Sequence, residues 1–313
     1  MPICELCSNR RFELVSTRIR EGKGRIVRCR KCGLVIQDLG WDASRLRAYY
    51  EKEYQQTNSL VTGRSQSARE HFADRSGTIA SVFDEVRPLL RRGMSVLEVG
   101  CGAGELLAKI KPYARRCVGV ELNSAFVDFM RKDLGLEAYA EDVNRLDIEG
   151  GFDLVISIST LDHLPNPLET LRSMRRLLAP KGRIYVELPN VDEALNCCLP
   201  DRTRAMYNEF FWHRAHLFYF SRATVTRLFR KAGLDVRVAS RHEYTLKNFL
   251  NWYFLGHPQR DFTTGLTDSR FFREGGEFER RMNRMLMRNE REFKDIMRRT
   301  FRGDNLCCIG RAR

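Results

Sequence analysis

The sequence predicts an α/β protein built on a doubly wound, mostly parallel sheet, and three observations carry that expectation. Short β-rich runs alternate with helical stretches between Ser95 and Arg237, which implies βαβ units. A glycine-rich turn, Gly100-Cys-Gly-Ala-Gly104, follows the first of those runs and opens a helix. At 313 residues and 43% hydrophobic content, the chain can bury one substantial core and still leave room for a small appendage.

The expected strands are Ser95–Val99, Arg116–Val120, Leu136–Ala140, Phe152–Ile158, Gly182–Glu187 and Asp235–Val238, with Asn305–Gly310 as one more. Leu168, Leu171, Met174 and Leu178 mark the core face of one covering helix, and Gly182 follows where the chain must turn. Ser221 is the N-cap expected for the next helix, which stops near Gly233. Glu277–Arg302 reads as a long helix with a stripe of Phe278, Met282, Met285, Phe293 and Ile296, expected to pack on the core beneath a solvated basic face.

Near the N-terminus, two β-like runs, Phe12–Val15 and Arg25–Arg28, are separated by a Gly22/Gly24 turn. They sit between Cys4-x2-Cys7 and Cys29-x2-Cys32-Gly33, two pairs that together offer the four ligands tetrahedral zinc requires. Four thiolates leave no open coordination position, so the zinc is expected to be structural. The remaining Cys101, Cys117, Cys197, Cys198, Cys307 and Cys308 lack such spacing and are expected to be buried, inert thiols. The division expected is a zinc ribbon over 1–40, a helical linker or cap over 41–90, a main domain over 91–245, a helical insertion over 246–302 and a last strand over 303–313.

Fifty-four Lys and Arg against 40 Asp and Glu give a net charge of +14, which suits phosphorylated sugars, nucleotides or RNA, or serves solubility alone. No signal peptide opens the sequence and no stretch reaches the apolar length of a membrane span, so a cytoplasmic protein without membrane attachment is expected. In a reducing compartment, paired Cys are metal ligands sooner than disulfides.

The glycine turn spells G-x-G-x-G, with Glu105 where the dinucleotide fingerprint wants its last glycine, and this disfavours nicotinamide or flavin. Glu121 ends the second strand about where a carboxylate can accept both hydroxyls of a ribose. His163 follows the fourth strand at the carboxyl edge of the sheet, where such folds bind ligands, and is a candidate general base. His216 is the second candidate. The aromatic stretch Met206–His216 includes Phe210, Phe211 and Trp212, which either pack in the core or face a ring-bearing substrate beside His213 and Arg214.

These words, Val96-Leu-Glu-Val-Gly-Cys-Gly-Ala-Gly104, Val120-Glu-Leu-Asn123, Glu141-Asp-Val143, Leu161-Asp-His-Leu-Pro-Asn-Pro167 and His216-Leu-Phe-Tyr-Phe-Ser221, together resemble the class I S-adenosylmethionine-dependent methyltransferases. The resemblance is to the branch with an N-terminal zinc ribbon found among sugar and natural-product methyltransferases. It covers residues 1 to about 240 and the closing Gly303–Gly310, and leaves out 246–302. It implies a seven-stranded, Rossmann-like methyltransferase sheet. It also implies a cofactor site formed by Glu98, Gly100, Cys101, Gly102 and Gly104, with Glu121 and Leu122 at the ribose, Asp142 and Val143 at the adenine, and Ser159 and Thr160 flanking the methionine and sulfur. Tyr50 and Tyr54, spaced to share one helical face, would close over the cofactor as in similar enzymes with a helical cap.

The function expected on this basis is methyl transfer from S-adenosylmethionine to a small molecule, a nucleotide-linked or polysaccharide sugar or a natural-product intermediate, with oxygen as acceptor. An RNA methyltransferase is the alternative, motivated by the charge and the Arg-rich helix, although no aromatic and basic stripe resembles an RNA platform. A cofactor-binding or zinc-mediated interaction protein without catalysis is the third reading.

Overall fold

The computed structural model describes all residues except 1–2, 42–43, 46–47, 50–65, 260–261, 268 and 274. Tyr50 and Tyr54 therefore lie outside the described residues. The N-terminal strands are β1 (Phe12–Ile19), β2 (Gly22–Cys29) and β3 (Val35–Gln37). Helix α1 (Ala68–Val86) follows, started by a reciprocal capping box between Ser67 and Glu70.

Then come β4 (Met94–Val99), α2 (Glu105–Ile110), β5 (Ala114–Val120), α3 (Ser124–Lys132), β6 (Glu137–Tyr139), β7 (Phe152–Ile158), α4 (Pro167–Arg176) and β8 (Leu178–Pro189). Two helices, α5 (Ala194–Cys198) and α6 (Asp201–Phe211), lead to the short β9 (Phe218–Tyr219). The chain continues through α7 (Arg222–Lys231), β10 (Leu234–Arg241), α8 (Leu246–Leu255), α9 (Phe262–Thr267) and α10 (Glu277–Arg299), and reaches β11 (Asn305–Ala312).

Strands β10-β11-β8-β7-β4-β5-β6 form one seven-stranded sheet in that order. The pairs among β8, β7, β4, β5 and β6 are all parallel, and β11 is antiparallel to both of its neighbours. This is the Rossmann-like methyltransferase sheet the sequence predicts. Alternate side chains of the central strands feed two cores. Leu97, Val99, Val155 and Val186 pack with Leu171 of α4 and Leu228 of α7, while Val96, Leu154 and Ile156 pack with Ile79 of α1 and Leu107 of α2.

The second sheet has the order β1-β2-β3-β9, antiparallel throughout. Its fourth strand comes from residues almost 200 positions away, with Val35 opposite Tyr219 and Ile36 opposite Phe218. The cysteine-bearing strands are thus built into one sheet with the segment after α6.

Three expectations need correction. Leu178 opens β8 instead of closing the face of α4, because α4 stops at Arg176 and Leu178 pairs with Phe152. The apolar stripe of α10 is not a core stripe: Phe278, Met285 and Ile296 are exposed, and the side turned inward carries Glu290, Phe293 and Met297. Phe293 packs on His242 and Phe249, with ring centroids 5.2 and 5.3 Å away, so the buried seam is rotated from the one hydrophobicity alone suggests. Cys197 and Cys198 are exposed on the short α5, whereas Cys101, Cys117, Cys307 and Cys308 are buried. No described helix is long and apolar enough to cross a membrane.

Candidate functional site

Because β4, β5, β6 and β7 run parallel, the residues that follow them collect along one edge of the sheet. After β4, Gly100, Gly102 and Gly104 all take positive φ, +72°, +55° and +90°, which side-chain-bearing residues adopt only with strain. Their tasks differ. A Cβ on Gly104 would lie 2.9 Å from Met130, so this glycine lets α2 approach α3, and a Cβ on Gly102 would lie 3.2 Å from the Glu105 carboxylate. Cys101 turns its thiol into the core, 3.6 Å from the sulfur of Met130, and presents only backbone to the loop.

Glu121 ties this loop to the end of β5. One carboxylate oxygen accepts from the Gly102 N–H at 3.1 Å and the other from the Asn123 N–H at 3.0 Å. Leu122 beside it is exposed, an apolar side chain left at the rim of the cradle. Past β6, the Asp142 carboxylate accepts from the backbone and side-chain nitrogens of Asn144, both at 2.9 Å, and Val143 is buried.

Glu98 projects from β4 with one carboxylate oxygen buried and, among the described residues, without a hydrogen-bond partner. Burial raises its carboxyl well above the usual carboxylate range, the charge of Glu105 adds to the effect, and Arg75 opposes it. A buried acceptor of this kind is costly unless a donor completes it. The amino group of a bound methionine moiety is such a donor, and the glycine turn and the Glu121 carboxylate fit the rest of S-adenosylmethionine. The residues present therefore suit that cofactor.

At the end of β7, Ser159 takes φ +45° and donates its N–H to the Glu187 carbonyl at 2.8 Å. Thr160 crowds Gly100, so that a Cβ there would lie 2.3 Å from the threonine hydroxyl. Gly100→Ala is therefore expected to cost about 1–3 kcal/mol of stability, from the left-handed backbone and the displaced Thr160. Chemical denaturation of the variant checks this.

Two residues further on, the structure brings together side chains more than fifty positions apart. Asp162 is buried, and one of its carboxylate oxygens lies 3.5 Å from His163 Nε2 and 3.4 Å from His216 Nδ1. The two imidazoles stand 4.7 Å apart, centroid to centroid. Burial lowers the pKa of both histidines and raises that of Asp162. The backbone is fixed here, because the N–H groups of Leu217 and Phe218 both donate to the Asp162 carbonyl.

The hairpin between β1 and β2 braces this region from the other side. Arg20 donates from its backbone to the Trp212 carbonyl and from its side chain to the Phe210 carbonyl, each at 2.8 Å. Glu21 lies 3.1 Å from His213 Nε2 and accepts from the Arg214 N–H at 3.0 Å. Trp212 is buried, and Phe210 and Phe211 pack against the Leu195, Tyr207 and Trp252 cluster, so these aromatics serve packing.

The sulfurs of Cys4 and Cys32, and of Cys7 and Cys29, lie 3.5 Å apart, and all four fall within 4.8 Å of one another. Thiolates on a tetrahedral zinc at ~2.3 Å stand ~3.8 Å apart, so the four could hold such an ion with little movement. Asn9 donates to the Cys29 sulfur at 3.4 Å, a partner that supports a thiolate.

A family profile described as a methyltransferase domain matches residues 71–238. The chain belongs to the methyltransferase-domain family. Its sheet order, with antiparallel β11 between β8 and β10, is the class I methyltransferase fold.

This methyltransferase is 26% identical over 105 residues to the ubiquinone biosynthesis O-methyltransferase of Nitrosococcus oceani, a match covering 31% of this chain and 44% of that protein. It is 28% identical over 141 residues to the tRNA U34 carboxymethyltransferase of Actinobacillus pleuropneumoniae, covering 41% and 44%. The chain thus spans less than half the length of these curated relatives. Among solved structures, a SAM-dependent methyltransferase from Archaeoglobus fulgidus aligns with TM-score 0.49 and 18% identity, covering 77% of this chain and 96% of that one.

Two methyltransferase residues went unnoticed in the sequence. His71 of α1 reaches the glycine loop, with Nδ1 2.8 Å from a Glu105 carboxylate oxygen and its ring 4.8 Å from that of Phe126. Arg75, one turn along, brings positive charge toward Glu98. Both sit in a polar helix that reads as linker. A His and an Arg at i, i+4 on the first helix before the glycine loop was the available signal.

Proposed function

We propose that this methyltransferase methylates an oxygen of a small acceptor, a nucleotide-linked or polysaccharide sugar or a natural-product intermediate. S-adenosylmethionine, when bound, supplies an electrophilic methyl group. The protein's own tasks are then to hold that cofactor, align the acceptor hydroxyl with it and take up a proton.

In this reading Glu121 holds the ribose hydroxyls, Asp142 and Val143 the adenine, and Glu98 with the backbone of residues 100–104 the methionine end. Ser159 and Thr160 border the reactive centre. His163 and His216 receive the acceptor's proton, oriented by Asp162 between them. Cys4, Cys7, Cys29 and Cys32 hold a structural zinc. Residues 1–40 form the ribbon, 41–90 a linker and cap, and 246–302 an insertion beside the acceptor side.

The observation that carries the reading is a buried Asp-His-His cluster on the same sheet edge as the glycine cradle, one turn past Ser159 and Thr160. Such a cluster has a use where a hydroxyl must lose its proton. Replacing His163 or His216 with glutamine is expected to lower kcat by about 10²- to 10⁴-fold and leave cofactor affinity unchanged. Turnover assays on a panel of sugar nucleotides, with calorimetry of the cofactor, test this.

A second reading, an RNA acceptor, is favoured by the tRNA-modifying relative and by the exposed arginines of α10. Methyl transfer to RNA and to none of the sugars would replace the first reading with this one.

A further inference from the structure

From the Asp162, His163 and His216 cluster we infer a second metal site: a divalent first-row transition ion held by two imidazole nitrogens and one carboxylate. It is separate from the four cysteines. The ligand atoms are in place, since His163 Nε2 and His216 Nδ1 both face the same Asp162 oxygen, at 3.5 and 3.4 Å, and one donor atom from each residue lies within 4.8 Å of the others.

These distances are too long for good hydrogen bonds and short enough for three ligands of one ion after small side-chain rotations. Among the described residues, neither oxygen of Asp162 has a hydrogen-bond partner, although the side chain is only 1% exposed, and His216 Nδ1 is likewise buried without one. A buried carboxylate without donors is among the costlier features a protein can keep. A cation between it and the two rings removes that cost at Asp162 and His216 together.

The supports are those expected of a ligand site. The Asp162 carbonyl accepts from Leu217 and Phe218, the His163 N–H donates to the Thr160 carbonyl and the His216 N–H to the His213 carbonyl, the last two at 3.0 Å, so backbone bonds hold all three ligands. His216 is the most accessible ligand, with its side chain 23% exposed, and gives the ion a path in. Two nitrogens and one carboxylate fill half of an octahedral shell and leave adjacent positions for oxygen atoms of a ligand. Neighbouring hydroxyls on a sugar or phenolic ring match such positions.

A hydroxyl on the ion loses its proton to water more readily than a free one. That role would replace the histidines as bases, and it rests on the acceptor reading above. Binding of the ion does not.

The experiment is a titration of cobalt(II) into the zinc-loaded, tag-free full chain, followed by visible absorption and metal analysis. The expected result is one cobalt per chain beyond the ribbon's zinc, with weak d–d bands and no thiolate charge-transfer absorption. Asp162→Asn and His216→Gln, each checked for its fold by circular dichroism, should weaken that binding by about 100-fold or more. No cobalt bound through nitrogen and oxygen in the wild type overturns the site, as does unchanged affinity in a folded variant. Because wild-type binding alone can refute it, the test survives a variant that fails to fold. Cobalt bound as expected, with no sugar or phenol methylated, would leave the site standing and defeat the acceptor reading.

Discussion

Glu121→Ala should lower the affinity for S-adenosylmethionine by about 10²- to 10⁴-fold. A carboxylate accepting two ribose hydroxyls makes two charge-assisted hydrogen bonds, each about 1.5–3 kcal/mol, and a tenfold change corresponds to ~1.4 kcal/mol. The same carboxylate accepts the N–H groups of Gly102 and Asn123, so its loss also loosens the glycine turn. Glu121→Gln separates the two effects. It keeps an acceptor for one of those N–H groups and loses the charge, so its thermal stability should stay near wild type while cofactor affinity falls. Calorimetry on both variants decides, and wild-type affinity in Glu121→Ala would remove this residue from the cofactor site.

Withdrawing the zinc proposed for the four cysteines is expected to have the other large effect, and to have it selectively. Structural zinc contributes about 10–16 kcal/mol in isolated ribbon-like peptides at neutral pH, and the three short strands otherwise rest on a few side chains, Leu6, Val27, Leu34 and Ile36, packed at the margin of the main core. Without it, β1 to β3 should lose their order. Strand β9 then loses its partner, and the Arg20 and Glu21 contacts to residues 210–214 go with it. The glycine cradle stands on β4 and β5, which the ribbon strands do not pair with.

Chelation should therefore abolish acceptor turnover and lower the melting temperature while cofactor binding persists. Circular dichroism, turnover and calorimetry on one chelated sample check all three. Turnover that survives complete loss of zinc would show that the ribbon does not support the acceptor side.

Much of the sheet was legible in the sequence because its central strands are short runs rich in β-branched and apolar residues, several of them closed by glycine, asparagine or a charged residue, as Gly100, Glu121 and Asn190 close β4, β5 and β8. Phe152–Ile158 matches to the residue, and the other strands differ at their ends by a few positions. The ends move because hydrogen-bonding neighbours extend a strand past its apolar run, as β11 does at Leu188 and Pro189 and β7 at Leu178.

What was not legible is mostly long-range. Strand β9 is two residues long and exists because β3 lies beside it, so no local pattern announces it. The helices α5 and α6 were not anticipated, because polar residues interrupt their apolar positions. His163 and His216 each stood out alone, but Asp162, which faces both, did not: a carboxylate beside a histidine is ordinary until the fold buries it. The phase of α10 was misread because its inward face includes Glu290, whose carboxylate lies 3.3 Å from Lys294 and is satisfied at the protein's edge.

The place of β11 bears on how the molecule is made. That strand lies inside the sheet, between β8 and β10, and the chain reaches it only after traversing three helices from Leu246 to Arg299. During synthesis, β10 emerges early but has no neighbour to pair with, and β8 keeps an open edge until residue 305 and beyond appear. Strand β10 thus waits unpaired for some sixty residues of growth, and β8, paired only with β7, waits longer, at roughly 5–20 residues per second. For those seconds the nascent chain exposes sheet edges, the feature that invites pairing with the wrong partner.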